Sequence, residues 1–198
     1  MSSMLHQGLH LSSHVEMDDP STATDPTEEI PFGAVATTQF ALVPEKSEDE
    51  PFLYAIFATT RAEELALTQW SLEQKEQFLR MQFAAQRHSY ETQFPDAERS
   101  IIVHNGAPSG RLFLDRTADE LHIVDIALAP EFRNKGIGSA IMSRFKTEAT
   151  ASGKSIRLYV ERFNPALRWY ERLGFENTSS SEIYLEMIWR PNRNVGKQ

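Results

Sequence analysis

Apolar residues become regularly spaced near residue 37, where the pattern predicts a strand followed by a helix. Residues 37–43 have the composition of a strand. Within residues 48–65, Phe52, Ile56 and Phe57 recur at the spacing of one helical face. The ordered part of the chain is therefore expected to begin with a strand and an amphipathic helix.

A second helix is predicted over residues 72–93 from its start and stop signals. Ser71 is followed three residues later by Gln74, which is the spacing of a capping box, and Pro95 lies just beyond the expected end. The residues of this helix that we expect on the core side are Phe78, Met81, Gln82 and Phe83.

The middle of the chain alternates short apolar runs with turn residues. Strands are predicted at 100–103 and 111–114, on either side of Asn105-Gly106, a dipeptide that suits positive φ. The loop between them is expected to be longer than the tightest hairpin. The mostly apolar run 120–128 is typical of a strand that is buried on both faces.

The C-terminal third continues the alternation of helices and strands. Its predicted elements are a helix at 136–151 that ends at Gly153, a strand at 155–160, a helix from Asn164-Pro165 to Gly174, and strands at 176–178 and 183–189. The resulting order is β-α-α-β-β-β-α-β-α-β-β. This order predicts one α/β domain with a mixed central sheet and helices on both faces.

Composition separates a leader from this domain. Residues 1–34 are rich in Ser, Thr, Pro, Asp and Glu and are expected to form a flexible acidic leader, with the domain at 35–192 and a tail at 193–198. Seven of the 28 acidic residues precede Lys46, the first basic residue, so the rest of the chain has 21 acidic and 20 basic residues. The net charge of −8 therefore belongs mainly to the leader.

The absence of cysteine excludes disulfides, thiolate metal sites and a cysteine nucleophile. No apolar run approaches the length of a membrane span, and the N-terminus lacks the pattern of a signal peptide, so a cytoplasmic location is predicted. His6, His10 and His14 fall at helical spacing, but in so polar a stretch we expect no metal site. There is no basic stripe with interleaved aromatic residues, so nucleic acid is not expected as a partner.

The strongest chemical signal is the turn from Arg133 to Gly138. Its two glycines, Gly136 and Gly138, allow the backbone to approach a ligand closely, and the following helix adds unpaired N–H groups. Arg133 and Lys135 supply positive charge beside them. The pattern lacks the third glycine of a dinucleotide fingerprint and the Gly-Lys-Ser/Thr of a Walker loop. It indicates a site for a diphosphate.

This turn resembles the signature Arg/Gln-x-x-Gly-x-Gly/Ala of the GNAT superfamily of N-acetyltransferases. A second motif stands at the right distance, with Asn164-Pro165-Ala166 followed by Tyr170-Glu171-Arg172-Leu173-Gly174-Phe175. The resemblance covers about residues 36–190. It implies a mostly antiparallel sheet whose fourth and fifth strands splay apart to leave a slot for pantetheine.

The resemblance also implies which residues bind acetyl-coenzyme A. The backbone that would pair with pantetheine is that of Ile126, Ala127 and Leu128. The amides that would hold the pyrophosphate are those of Arg133, Asn134, Lys135, Gly136, Ile137 and Gly138. Asn164 would face the cofactor near the splay.

Catalytic candidates follow from the same comparison. Tyr170 matches the family tyrosine that protonates the leaving thiolate. His122 stands where histone-acetylating relatives carry a glutamate base, fourteen positions before the first glycine of the signature, and an imidazole could serve there directly or through water. In other relatives, ordered water alone accepts the proton.

Asp125 and two helical acids complete the candidate set. Asp125 lies in an apolar run, one strand face away from His122, and needs either a partner or a polar cleft. It is read as a buried anchor or as a direct proton-transfer group. Glu63 and Glu64, on the first predicted helix, could attract a cationic amine on the acceptor side, although exposed helical acids are mostly just solvated.

The predicted function is transfer of an acetyl group from acetyl-CoA to a primary amine by direct attack in a ternary complex. A small or amino-acid-like acceptor is favoured. The alternatives are a protein acceptor and a non-catalytic module that binds or senses acyl-CoA. The resemblance further implies a possible homodimer.

Overall fold

The computed structural model describes residues 39–192, which form one α/β domain around a seven-stranded sheet. The predicted leader at 1–34, the three histidines within it and the tail at 193–198 lie outside the described residues. None of the helices in 39–192 is long and apolar enough to cross a membrane.

The elements follow the predicted order. The strands are β1 Phe40–Pro44, β2 Glu98–His104, β3 Ala107–Arg116, β4 Glu120–Leu128, β5 Ser155–Glu161, β6 Glu176–Ser180 and β7 Tyr184–Trp189. The helices are α1 Glu50–Ala66, α2 Leu72–Gln93, α3 Ile137–Ser152 and α4 Leu167–Arg172, with short 3-10 turns at Ser47–Asp49 and Pro130–Phe132.

The sheet has the order β1-β2-β3-β4-β5-β7-β6, and β4 with β5 is its parallel pair. The other neighbouring strands of the described sheet are antiparallel. Pairing between β4 and β5 runs from Glu120↔Ser155 to Ile123↔Leu158 and does not continue over 124–128. The predicted splay of strands four and five is confirmed.

Helices cover the two faces of the sheet in separate groups. The largest core lies on the face of α3 and α4, where Phe145 and Trp169 pack with Ile126 and Leu158. On the opposite face, α1 and α2 pack against β2, β3 and β4, as in the cluster of Phe57, Phe83 and Ile101. The predicted arrangement of helices on both faces is confirmed.

Helix α2 has the predicted bounds and cap but a different buried face. Gln74 N–H donates to the Ser71 hydroxyl and Ser71 N–H donates to the Gln74 side chain, which completes the capping box. Residues Phe83, Gln86 and Tyr90 are buried, whereas Met81 is 57% exposed. The prediction of Met81 in the core is wrong because the contact stripe follows the 83, 86, 90 spacing.

The β2–β3 connection is a two-residue hairpin, shorter than expected. His104 pairs with Ala107, and the loop residues Asn105 and Gly106 have φ of 51° and 79°. Two consecutive positive φ angles match the twist of an antiparallel pair, so the strands continue up to the turn. The prediction of a longer loop is wrong, and β2 and β3 extend further than their apolar cores.

Candidate active site

The turn between β4 and α3 has the backbone geometry of an anion site. After β4 ends at Leu128, the chain makes a 3-10 turn and then takes positive φ at Asn134 (58°) and Gly136 (76°). Helix α3 begins at Ile137, so the N–H groups of its first turn have no partner within the helix. These amides and the helix dipole favour negative charge at this end of the slot.

The side chains of the turn lie on both sides of this backbone. Arg133 Nε donates to the carbonyl of Leu128 at 3.1 Å, which ties the turn to the end of β4. Lys135 is exposed, and its Nζ lies 5.4 Å from the ring centre of Phe132. Arg133 therefore connects the turn directly to the end of β4, and Lys135 lies at the outer edge of the turn.

The wall of the slot is the part of β4 that β5 does not pair. Ile126 and Leu128 are buried on the α3 side, and Ala127 packs on the other side against Ile56 of α1. Neighbouring β3 approaches this wall so closely that a Cβ on Gly110 would lie 2.4 Å from the carbonyl oxygen of Ala127. The position of this wall therefore depends on a glycine in β3.

Tyr170 and Asn164 lie beyond the end of β5. Tyr170 is fully buried between Trp169 and Phe175, in the same core as Ile126. Asn164 is 6% exposed, and its side-chain oxygen accepts the N–H of Ala166 at 2.8 Å. It therefore caps a turn before α4 instead of the helix itself, which begins at Leu167 and later than predicted.

His122 and Asp125 share one face of β4, contrary to the expectation from simple alternation. In the β3–β4 register, Asp125 stands opposite Phe113 and His122 stands opposite Asp115. Residues 113 and 115 point to the same face, so their partners do too. A bulge between these pairs inserts one extra β4 residue. The bulge turns both polar side chains toward α1 and α2.

His122 lies in an aromatic and charged environment. Its ring contacts Phe94 at 5.2 Å and Tyr159 at 5.7 Å between ring centres. Burial first, and then the Arg157 guanidinium, lower the pKa of His122 to about 4, while Asp115 and Glu186 act in the opposite direction. The imidazole is therefore neutral at pH 7. Its Nε2 is buried and makes no hydrogen bond within the described chain.

This buried imidazole predicts a loss of stability in mild acid. The unfolded chain protonates His122 near pH 6.5 and the folded protein at about 4, so between these values the unfolded chain binds more protons. The free energy of unfolding is therefore unaffected by His122 protonation above about pH 6.5. It falls by about 3 kcal/mol at most as the pH drops from there through 4. Urea unfolding at pH 7 and pH 4.5 measures this loss of stability, which should be smaller in His122→Phe than in the unmodified protein.

His88→Phe is the matched control, since His88 is exposed on α2. It should lose as much stability as the unmodified protein. An equal loss in His122→Phe would contradict the buried neutral imidazole.

Asp125 forms a buried ion pair. Its Oδ2 lies 2.7 Å from Nε of Arg111, with side-chain exposures of 0% and 2%, and Arg111 also donates to Gln86 of α2 at 3.3 Å. Burial raises the pKa of Asp125, and Arg111 and then Arg61 oppose this increase. The pair joins β3, β4 and α2, in agreement with the anchor reading. The proton-transfer reading of Asp125 stays a prediction.

Asp125→Asn is expected to lower the free energy of unfolding by about 2–3 kcal/mol, because it leaves Arg111 buried without its counter-charge. Guanidinium unfolding measures this change. Arg99→Met is the control, since it removes the half-exposed pair between Arg99 of β2 and Glu91 of α2 and should cost less than about 1 kcal/mol. Equal effects of the two substitutions would contradict the anchor reading.

The acids predicted on α1 do not meet His122. Glu63 and Glu64 are exposed, and Glu64 lies 3.4 Å from Nη1 of the buried Arg61. The polar residues that accompany His122 were not among the candidates: Asp115, Glu120, Arg157, Tyr159 and Glu186. The alternation of apolar and polar residues in β5 and β7 could have placed Arg157, Tyr159 and Glu186 on polar faces of their strands. Only the pairing of the strands shows that these faces meet His122.

Groups of three or more side chains that could hold a metal are absent from the described part of the chain.

Part of this chain is similar to known proteins. Residues 96–177 match the family model of the acetyltransferase (GNAT) domain. An uncharacterised N-acetyltransferase of Methanocaldococcus jannaschii is 33% identical over 97 residues, which cover 43% of this chain and 42% of that protein. The alignment therefore spans less than half the length of the curated relative.

Solved structures show the same fold at lower identity. The PaiA N-acetyltransferase of Thermoplasma acidophilum, determined in complex with coenzyme A, aligns with a TM-score of 0.58 and 19% identity over 77% of this chain and 99% of that one. The ribosomal-protein-S18-alanine N-acetyltransferase of Escherichia coli aligns with a TM-score of 0.52 and 18% identity over 80% and 100%. Residues 96–177 therefore match the GNAT acetyltransferase domain, and residues 39–192 share the fold of these solved acetyltransferases.

Proposed function

We propose that this protein transfers an acetyl group from acetyl-CoA to a primary amine by direct attack in a ternary complex. The observation that carries the proposal is the unpaired stretch of β4 leading straight to the positive-φ turn at Gly136. A strand edge followed by a helix N-terminus suits a ligand that has amide groups next to a pyrophosphate.

The residues present fit coenzyme A at both parts of this surface. The backbone of Ile126 to Leu128 has no strand partner from β5, so it can pair with the pantetheine amides. The amides of 133–138 would surround the pyrophosphate, with Lys135 at the exposed edge. When bound, acetyl-CoA supplies an acyl group activated as a thioester.

The two candidate proton-transfer groups lie on opposite faces of the sheet. Tyr170 belongs to the core on the α3 face, and His122 faces α1 and α2. This arrangement suits a reaction in which the amine loses a proton on one face while the thiolate gains one from the other. Tyr170 is proposed as the donor to the thiolate.

His122 is proposed to accept the proton of the amine through water. A neutral imidazole can accept a proton, but a pKa of about 4 makes it a weak base on its own. Its Nε2 is buried, so a water molecule would connect it with the amine. Asp125 is bound to Arg111 and is assigned to holding β4 in place.

A binding and turnover experiment tests the function. Calorimetry with acetyl-CoA should give a single site, and release of free thiol should depend on added amine. Binding of acetyl-CoA without thiol release, across a broad panel of amines and N-terminal peptides, would support a non-catalytic acyl-CoA module instead.

Three further expectations belong to the proposal. A cytoplasmic location is tested by fractionation of the source cells, and a homodimer by light scattering of the purified protein.

Glu63 and Glu64 are proposed to attract the acceptor from α1, and their joint replacement by glutamine should raise the KM for the amine.

A further inference from the structure

One face of β5 and β7 lies outside the apolar clusters that α1 and α2 form within residues 39–192. Helices α1 and α2 pack against residues of β2, β3 and β4. Along β5 and β7, buried residues alternate with half-buried ones, and the half-buried residues include Arg157, Tyr159, Glu161, Tyr184, Glu186 and Ile188. This face continues from His122 across the closed end of the slot.

Three carboxylates define what we call the acidic face: Asp115, Glu120 and Glu186. Glu120 lies 2.7 Å from Nη2 of Arg157, and Glu186 lies 3.7 Å from its Nε. Asp115 stands opposite His122 in the β3–β4 register. Because His122 is neutral, Arg157 offsets only one of the three negative charges, so the group has a net charge of −2.

The Glu186 carboxylate is held in place by its neighbours. Tyr159 donates to it at 3.1 Å and Thr178 donates at 2.8 Å, while its side chain is 19% exposed. The side-chain exposure of Glu120 is 17%. Partly buried carboxylates attract a cation more strongly than solvated ones because water screens them less.

A second observation points to a ligand at this place. His122 is 8% exposed, and its buried Nε2 makes no hydrogen bond among the described residues. Its ring packs on Tyr159, which donates to Glu186, and the charges of Arg157, Asp115 and Glu186 act on it. A buried polar atom of this kind needs a partner to offset its desolvation, and Asp115 and Glu186 are close enough to act on this imidazole electrostatically.

We propose that the acidic face binds a second cationic group of the acceptor, so that the preferred acceptors are diamines or longer polyamines. This inference rests on the proposed function, because it takes the reacting amine to lie beside His122. Glu186 extends from β7 toward β5. Because β5 lies between β4 and β7, the strands that carry His122 and Glu186 are two spacings, or about 10 Å, apart. An acceptor with a few methylene groups between its amines can reach from His122 to Glu186.

The test compares 1,4-diaminobutane with 1-aminobutane, which carries the same reacting amine without the second charge. The kcat/KM for the diamine should be about tenfold higher, as expected for one partly buried ion pair. Glu186→Gln should reduce this ratio toward one, and Glu120→Gln serves as a second variant if Glu186→Gln does not fold. Glu73→Gln, at an exposed site on α2, should keep the full ratio.

Each outcome has a separate meaning. Equal kcat/KM for the two amines, or an unchanged ratio in both variants, overturns the acidic-face proposal and leaves the acetyltransferase intact. If no amine releases thiol, the proposed function fails. The acidic face is then judged by calorimetric titration of the two amines into the protein saturated with coenzyme A: tighter binding of the diamine supports it, and equal binding overturns it.

Discussion

Replacing Gly136 with aspartate is expected to weaken acetyl-CoA binding about a thousandfold, through backbone strain and charge repulsion together. Gly136 has φ of 76°, a conformation that costs an L-residue about 1–2 kcal/mol. The new carboxylate would also lie at the start of α3, where the pyrophosphate is proposed to bind. Calorimetric titration with acetyl-CoA measures the change.

Gly153→Asp is a matched control at the other end of the same helix. Gly153 also has positive φ (69°), and a Cβ there would meet nothing within 4 Å. This variant carries the same strain and the same charge, far from the proposed phosphate site. Binding should therefore stay close to that of the unmodified protein, and similar losses in both variants would contradict the assignment of the turn.

Replacing Tyr170 with phenylalanine is expected to lower kcat about a hundred- to a thousandfold, the usual effect of losing a general acid. The ring packs between Trp169 and Phe175, and phenylalanine keeps these contacts. Binding of acetyl-CoA should therefore change little. Pre-steady-state thiol release together with calorimetry separates the chemical step from binding.

Tyr54→Phe controls for the loss of a tyrosine hydroxyl elsewhere. Tyr54 donates to Glu76 between α1 and α2, away from the slot. Its replacement should leave kcat unchanged. If Tyr170→Phe keeps full turnover, then water or another group protonates the thiolate, and the role proposed for Tyr170 is wrong.

Locally encoded elements were predicted most accurately. The bounds of α2 were correct, because the Ser71 and Gln74 capping box and the apolar spacing both act within a few residues. The run 120–128 was recognised as a strand buried on both faces, since its apolar residues are continuous. The glycine-containing turn was placed directly before α3, and Gly136 has the positive φ that such a turn requires.

Predictions that depended on alternation failed where the sheet is irregular. The bulge in β4 places Asp125 on the same face as His122, although simple alternation separates them. A bulge depends on how β3 and β4 pair, and the spacing of apolar residues within β4 alone does not show where the extra residue lies. For the same reason, the partner of Asp125 could not be found before Arg111 was placed beside it.

The sequence by itself determined the order of the elements, the cap of α2 and the glycine turn before α3, because short-range spacing and backbone preference decide these features. Only the tertiary structure decided which polar side chains share a site. The meeting of His122, Arg157 and Glu186 depends on the pairing of β4 with β5 and of β5 with β7. These strands are separated by helices in the chain, so no local pattern records that their side chains come together.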